Sequence, residues 1–167
     1  MNERRVRLGI SPCPNDTFAF HGLLTGAVRP RGFEIALELH DIQALNDGFA
    51  AGRYDAAKVS FAAALAWGDT SVVLHAGSAL GFGVGPLLLA RRGAPALNVG
   101  SGDIRVLCPG EHTTAHLLYR LFHGDVGRVE HVVFSEILGT LERGEADYGV
   151  CIHEGRFTYA SHGLTLV

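Results

Sequence analysis

The sequence has few cysteines and no long apolar run, and each absence excludes a class of protein. Its three cysteines among 167 residues form no C-x-x-C pair, and an odd number argues against a disulfide framework. No apolar stretch reaches the length of a membrane span. The apolar run 6–10, which follows the basic start, is too short for a signal peptide and soon meets two prolines. We therefore expect a cytoplasmic protein in a reduced compartment.

The sequence also lacks a concentration of charge of one sign. Its net charge is −3, and the basic residues are spread along the chain, so the patch typical of nucleic-acid or membrane-surface binding is absent. Hydrophobic residues make up 47% and charged residues 19%, a balance typical of globular rather than disordered chains. A chain of this length can form one α/β domain or two small lobes. We expect neither a nucleic-acid nor a membrane partner.

Strand-like and helix-like runs alternate along the chain. The predicted strands are 6–10, 34–39, 57–59, 72–75, 87–90, 105–108, 129–134 and 148–152. The predicted helices are 18–24, 44–51, 61–67, 115–122 and 137–143. Such alternation predicts an α/β fold with largely parallel sheets.

A weak internal repeat relates segment 52–61 to segment 144–153. Each begins with a glycine that can end a helix in the left-handed conformation. In each, an aspartate follows three residues later, and then a buried strand ends in polar residues. The repeat predicts two similar lobes, with residues 1–92 in the first and 93–167 in the second.

Polar residues follow four of the predicted strands, at 11–17, 58–60, 112–114 and 153–156. Ligands of open α/β sheets bind outside the carboxyl ends of the strands. Where such a strand leads into a helix, the unpaired N–H groups of the first turn favour an anion. We therefore expect these four segments to converge on one ligand cleft between the lobes.

Five polar residues in the first three segments are candidates for substrate binding: Asn15, Lys58, Ser60, Thr113 and Thr114. Each also has a purely structural interpretation. Asparagine favours turns, and serine and threonine are common helix caps, so the hydroxyls could serve the helices that follow them. The lysine could balance a substrate carboxylate or remain solvated. No cluster of side chains has the spacing typical of a metal site.

His153 is the candidate general base. It follows a predicted strand, and the imidazole side chain titrates near neutrality, which suits proton abstraction. The alternative is a structural role, since the chain has nine histidines. A zinc-protease helix is excluded because Phe157, not histidine, stands four residues later. Glu154 and Arg156 are supporting candidates that could simply form an ion pair or be solvated.

The glycine-rich segment 77–86 contains a G-x-G pattern. No helix is predicted after it, so a dinucleotide-binding turn is disfavoured. We expect a hinge or a loop at the edge of the cleft, because glycine adopts unusual backbone angles at little cost.

Five motifs together carry a family resemblance. They are 11–18 (Ser-Pro-Cys-Pro-Asn-Asp-Thr-Phe), 58–60 (Lys-Val-Ser), 81–86 (Gly-Phe-Gly-Val-Gly-Pro), 109–115 (Pro-Gly-Glu-His-Thr-Thr-Ala) and 152–159 (Ile-His-Glu-Gly-Arg-Phe-Thr-Tyr). The combination resembles the 1,4-dihydroxy-6-naphthoate synthase family, which belongs to the futalosine route of menaquinone biosynthesis. The resemblance extends over essentially the whole chain.

The resemblance implies a two-lobed fold like that of type 2 periplasmic binding proteins, with the ligand cleft between the lobes. It implies a carbon–carbon lyase that converts cyclic dehypoxanthine futalosine, a small aromatic carboxylate, to 1,4-dihydroxy-6-naphthoate. By motif position, His153 takes the proton-acceptor role. Lys58, Val59 and Ser60 match one substrate-binding segment and the threonine pair matches another, with Asn15 of the first motif added to them. The resemblance implies no metal and no organic cofactor.

Members of that family continue well beyond the position of Val167. We therefore expect a truncated gene product or a partial chain with an incomplete second lobe. Its uncovered apolar surface predicts marginal stability or self-association as a homo-oligomer. Two other functions stay open: a non-catalytic module that binds small carboxylates, and the chorismate dehydratase of the same pathway.

Overall fold

The structure is a computed structural model that describes residues 3–98, 102–124, 126–153 and 155–167. The chain folds into two compact units, Met1–Leu80 and Gly81–Val167. Each unit is an α/β layer structure, which confirms the predicted class. Within the described residues, no helix combines the length and the apolar character needed to cross a membrane.

The first unit is built on a small parallel sheet. Its strands are β1 (Arg4–Ile10), β2 (Phe33–Leu39) and β3 (Ala56–Ala57). Its helices are α1 (Pro14–Ala19), α2 (His21–Leu24), α3 (Ile42–Ala50) and α4 (Phe61–Ala66), followed by a 3-10 turn (Gly68–Thr70). The strand order is β2-β1-β3, so β1 is central and parallel to both neighbours. Its last residue, Ile10, is fully buried together with Leu45 of α3 and Ala63 of α4.

The second unit contains a five-stranded sheet in the order β6-β5-β7-β4-β8. Its strands are β4 (Leu87–Ala90), β5 (Arg105–Cys108), β6 (Arg128–His131), β7 (Tyr148–Cys151) and β8 (Thr165–Leu166). Its helices are α5 (Thr114–His123), α6 (Glu136–Glu142) and α7 (Gly155–Thr158), followed by a 3-10 turn (Tyr159–His162). Strand β5 is parallel to β6 and β7, whereas β4 is antiparallel to β7 and β8.

Alternate residues of β5 enter two different cores in this unit. Val106 packs in a cluster that includes Tyr119 of α5, whereas Leu107 packs in a cluster that includes Ile137 and Leu141 of α6. Successive strand side chains point to opposite faces, so the central strand of the parallel group is buried on both sides.

The sequence repeat corresponds to a repeated helix ending. Gly52 and Gly144 both have positive φ, at 69° and 73°. The residue after each glycine donates its N–H to a carbonyl five residues earlier, over 2.8 Å in the first unit and 3.1 Å in the second. This is the hydrogen bond expected of a left-handed glycine cap, and it fixes the direction in which the chain enters the next strand.

Three of the differences from the sequence-based expectations change the arrangement of the elements. The predicted strand 72–75 does not form, and Val72 and Val73 are highly exposed without a strand partner. The predicted helix 18–24 is divided between α1 and α2. Strand β4, assigned to the first lobe 1–92, instead pairs with β7 in the sheet of the second unit, because three of its four side chains are buried there. This antiparallel strand also makes the sheet mixed.

Candidate active site

The carboxyl edge of the first sheet brings two of the predicted segments together. Because β1 and β3 are parallel neighbours, Ser11 and Lys58 leave the sheet at the same edge. The Nζ atom of Lys58 lies 3.1 Å from Oδ1 of Asp16. Segments 11–17 and 58–60 are therefore in direct contact within this unit.

Asp16 is the acidic residue around which this edge is organised. It is buried, with 5% of its surface exposed. Its Oδ2 atom accepts hydrogen bonds from the backbone N–H of Ser11 at 3.0 Å and from the hydroxyl of Ser11 at 2.8 Å. Sequence reasoning did not include Asp16 among the candidate residues and missed this role. The signal that could have found it is Lys58, the only lysine in the chain.

Lys58 is neither a solvated side chain nor an isolated cation. Besides contacting Asp16, its ammonium donates a hydrogen bond to the carbonyl oxygen of Gly77 at 2.7 Å. Gly77 has a φ of 88°, and a Cβ atom there would lie 3.1 Å from the ring of Phe20. Lys58 therefore connects the first motif to the start of the glycine-rich segment, in a conformation that suits glycine.

Ser60 is held by a buried amide rather than by the helix that follows it. The backbone N–H of Ser60 donates to Oδ1 of Asn46 at 3.0 Å, and Nδ2 of Asn46 donates to the hydroxyl of Ser60 at 3.2 Å. The alternative interpretation, in which the Ser60 hydroxyl caps α4, is wrong, since no such hydrogen bond forms. Sequence reasoning missed Asn46, which is fully buried. Val59 lies half-buried between Lys58 and Ser60.

Asn15 lies in the first turn of α1 and is exposed. The helix begins at Pro14, a residue suited to a first turn because it has no N–H to leave unpaired. The N-cap residue, Cys13, makes no side-chain cap hydrogen bond. The amide of Asn15 is thus accessible to a ligand, unlike the buried carboxylate beside it.

The carboxyl edge of the second sheet carries the other candidates. Strands β5, β6 and β7 are parallel, with β5 in the middle. Thr113 and Thr114 follow β5, His131 ends β6, and His153 follows β7. Parallel strands end on a common edge, so the structure brings these residues to one side of the second unit.

Thr113 is a helix cap in this structure. Its hydroxyl accepts a hydrogen bond from the N–H of His116 at 3.3 Å and donates one to the carbonyl of Gly110 at 2.7 Å. Its side chain is buried. Thr114 is the first residue of α5 and is half-buried. Thr113 therefore fixes the start of this ten-residue helix, and Thr114 lies nearer to solvent.

His153 has an unusual backbone conformation. Its φ of 54° makes it the single non-glycine residue with positive φ in the described part of the chain. Its carbonyl accepts a hydrogen bond from the N–H of Arg156 at 3.3 Å, and its ring meets the ring of Phe134 edge-on, with centroids 5.9 Å apart. The side chain is half-buried. Non-glycine residues with a positive φ often occur at functional sites. Glu154 lies outside the described residues.

A pair of histidines, His116 and His131, occupies the same edge. The rings of His116 and His131 pack edge-to-face with centroids 4.7 Å apart. Nδ1 of His116 lies 3.0 Å from the carbonyl oxygen of Glu111. Burial and the neighbouring His116 lower the pKa of His131. Sequence reasoning missed this pair, because 15 residues separate its members. No group of three or more potential metal ligands forms among the residues that the structure describes.

Comparison with known sequences gives a consistent family match. The family model described as Menaquinone biosynthesis matches residues 6–167. A 1,4-dihydroxy-6-naphthoate synthase of Thermus thermophilus is 44% identical over 163 residues, covering 97% of this chain and 57% of that protein. The enzyme of the same name from Streptomyces coelicolor is 37% identical over 172 residues, covering 98% and 58%. The chain thus spans less than two thirds of the length of these curated relatives.

Comparison with solved structures identifies the fold. A protein of Archaeoglobus fulgidus superposes with a TM-score of 0.85 at 31% identity, covering 98% of this chain and 59% of that one. An alkanesulfonate-binding protein of Xanthomonas axonopodis superposes with a TM-score of 0.68 at 12% identity, covering 99% and 61%. The ligand-binding component of an ABC-type import system of Staphylococcus aureus gives 0.66 at 14%, covering 99% and 60%. These similarities confirm the expected binding-protein-like fold.

Proposed function

Since this chain belongs to the menaquinone biosynthesis family, we propose that it performs the reaction of a 1,4-dihydroxy-6-naphthoate synthase. The reaction converts cyclic dehypoxanthine futalosine to 1,4-dihydroxy-6-naphthoate and releases a small sugar-derived fragment, which makes the enzyme a carbon–carbon lyase. The observation that supports this proposal most strongly is the backbone of His153, held at a φ of 54° beyond the end of β7.

We assign the role of general base to His153. Its backbone carbonyl accepts a hydrogen bond from the N–H of Arg156, and its ring packs perpendicular to the ring of Phe134. A half-buried imidazole held in this way can take a proton from a carbon beside a carbonyl group. The electrons of the broken C–H bond then move toward that carbonyl, which starts fragmentation. Formation of an aromatic ring favours the product. The protein therefore needs mainly a base, anchors for the substrate and exclusion of water.

We assign the substrate contacts of each unit separately. In the first unit the candidates are the third N–H of the Lys58 ammonium, the hydroxyl of Ser60 and the exposed amide of Asn15, with Val59 in the same segment. These groups suit the oxygen atoms of a carboxylate or hydroxyl because they donate hydrogen bonds.

In the second unit the candidates are Thr114 and the first turn of α5. The N-terminus of a ten-residue helix carries partial positive charge and favours a carboxylate. Thr113 contributes by capping that turn, so we expect its substitution to act through the position of Thr114 and the backbone.

The decisive experiment offers the purified protein two substrates in parallel and detects products by chromatography and mass spectrometry. Cyclic dehypoxanthine futalosine should yield 1,4-dihydroxy-6-naphthoate. Chorismate should remain unchanged; its dehydration would instead support the chorismate dehydratase alternative. A ligand-dependent rise in melting temperature with no product from either compound would support a non-catalytic carboxylate-binding module.

His153→Gln tests the assignment of the base. We expect product formation to fall by about 10²-fold or more, while the substrate still raises the melting temperature. His162→Gln is the matched control, because His162 lies in the same unit and pairs with Glu142 at 2.7 Å, away from the proposed chemistry. Undiminished turnover in His153→Gln would remove this residue from the mechanism.

A further inference from the structure

Lysine and arginine together account for 14 residues of the chain, and Lys58 is the only lysine among them. The ammonium of Lys58 lies 3.1 Å from Oδ1 of Asp16, and the two side chains are 19% and 7% exposed. It also donates to the carbonyl oxygen of Gly77 at 2.7 Å. An ammonium has three N–H groups, so two of them have protein acceptors in this arrangement.

Of the two side chains, that of Asp16 is held in place more firmly than that of Lys58. Its second carboxylate oxygen accepts hydrogen bonds from both the N–H and the hydroxyl of Ser11, and the residue belongs to the first turn of α1. A carboxylate buried to this extent needs a compensating charge. The lysine side chain, in contrast, has a flexible four-carbon stem that adopts many conformations when it is unrestrained. The position of Asp16 therefore sets the position of the Lys58 ammonium.

The pair also determines the charge that a ligand meets at this edge. Asp16 compensates the charge of Lys58, and the other groups that bond to this pair, Ser11 and the carbonyl of Gly77, are uncharged. A substrate oxygen arriving at the third N–H of Lys58 meets a directed donor in a neutral pair. It does not meet an uncompensated positive charge.

We propose that Asp16 is a positioning residue: it holds the Lys58 ammonium in a fixed direction and neutralises it, so that Lys58 serves as an oriented hydrogen-bond donor to the substrate. The proposal rests on the proposed function, in which segment 58–60 binds the substrate. It adds that Lys58 recognises the substrate through the direction of its N–H bond rather than through a net positive charge. Orientation of this kind reduces the conformational freedom lost when the substrate binds.

The first test does not depend on catalysis. Arg31→Lys introduces an exposed reference amine into the same protein, and brief treatment with acetic anhydride followed by peptide mass spectrometry compares the two lysines. Lys58 should be acetylated at least about tenfold more slowly than the introduced lysine, because its ammonium must first leave Asp16 and Gly77. Adding Asp16→Asn should remove most of this protection while the protein stays folded by circular dichroism. Equal rates before that change would overturn the proposal.

The second test measures kinetics at several ionic strengths. Asp16→Asn keeps an oxygen acceptor for Ser11 but removes the charge. We expect kcat/KM to fall by about tenfold to a hundredfold. The KM should now rise with salt, because an uncompensated ammonium attracts the substrate carboxylate and salt screens that attraction. Asp55→Asn is the control, because it alters an exposed carboxylate paired with Arg7. The KM of this variant and of the wild-type protein should change little with salt.

These readouts separate positioning from a purely structural role. If Asp16 only supports the fold, Asp16→Asn will lower the active fraction and leave the salt dependence of KM as in the wild-type protein. That result, or an unchanged kcat/KM, would overturn the proposal. If Asp16→Asn does not fold, the acetylation of the Arg31→Lys protein decides alone. If instead the wild-type protein forms no naphthoate, the proposed function fails while the acetylation rates still test the role of Asp16.

Discussion

The carboxylate of Asp147 accepts a hydrogen bond from the backbone N–H of Arg105 at 2.9 Å, and its own N–H donates to the carbonyl of Arg105 at 3.0 Å. The first unit contains the same arrangement. There, Asp55 accepts from the N–H of Arg7 at 2.8 Å and donates to the Arg7 carbonyl at 3.0 Å. In both units, an aspartate that follows a helix-ending glycine thus connects the chain to the neighbouring strand. The sequence repeat therefore corresponds to the same two hydrogen bonds to a neighbouring strand in each unit.

This repeat allows a matched comparison of stability. Asp147→Ala should reduce the free energy of unfolding by about 2 kcal/mol, because it leaves the Arg105 N–H without its acceptor and also removes the partner of Arg91 at 2.7 Å. Asp55→Ala should cost less, since the Asp55 side chain is 48% exposed against 15% for Asp147, and water can replace its bonds. Urea unfolding followed by circular dichroism measures both. Equal losses would show that exposure does not control the cost.

Two glycines at the helix α6 interface should respond oppositely to alanine. A Cβ atom on Gly149 would lie 2.6 Å from Cγ2 of Ile137 and 2.9 Å from Cδ1 of Leu141, inside a packed core. Gly149→Ala should therefore reduce the free energy of unfolding by about 1–3 kcal/mol. Gly139 lies within α6 itself, and its Cβ would meet only the flexible end of Arg143. Gly139→Ala should raise the free energy of unfolding by up to about 1 kcal/mol, because alanine favours helix. Thermal melts of the two variants should shift in opposite directions; a rise for Gly149→Ala would contradict the packing.

The His116–His131 pair predicts a pH dependence of stability. Burial lowers the pKa of His131 in the folded protein, and the nearby His116 and His112 lower it further, while Glu111 opposes them. The unfolded chain therefore binds a proton at this site at a higher pH than the folded chain does. As the pH falls below the ordinary histidine value of about 6.5, this difference destabilises the folded state until the lowered pKa is passed.

His131→Gln should remove this contribution. Histidines titrate in the range from about pH 7 to about pH 5. Over this range the melting temperature of the variant should fall less than that of the wild-type protein. His21→Gln is the control, because His21 lies exposed in α2, and its pH profile should parallel the wild-type profile. An identical slope in His131→Gln and wild type would show that the pair does not couple folding to protons.

The local sequence was sufficient to predict an element where residues typical of strand ends stand on both sides of a short apolar segment. The predicted strands 87–90 and 105–108 coincide with β4 and β5, because apolar runs bounded by polar residues, glycine or proline mark both ends of a buried strand. The family resemblance is confirmed, and the left-handed glycines of the repeat lie where the sequence placed them. The assignments of His153, Asn15, the 58–60 segment and the threonine pair as site residues stay predictions.

The α/β class, most element positions and the family can therefore be read from the sequence alone, since these depend on periodicity, turn residues and motifs along the chain. The antiparallel pairing of β4 within the second sheet became evident only from the folded chain, since an apolar run does not specify its partner. Folding also pairs Lys58 with Asp16 and Ser60 with Asn46, across 42 and 14 residues of sequence. Such contacts depend on where parallel strands end in space. That arrangement is a property of the folded sheet and not of any single segment.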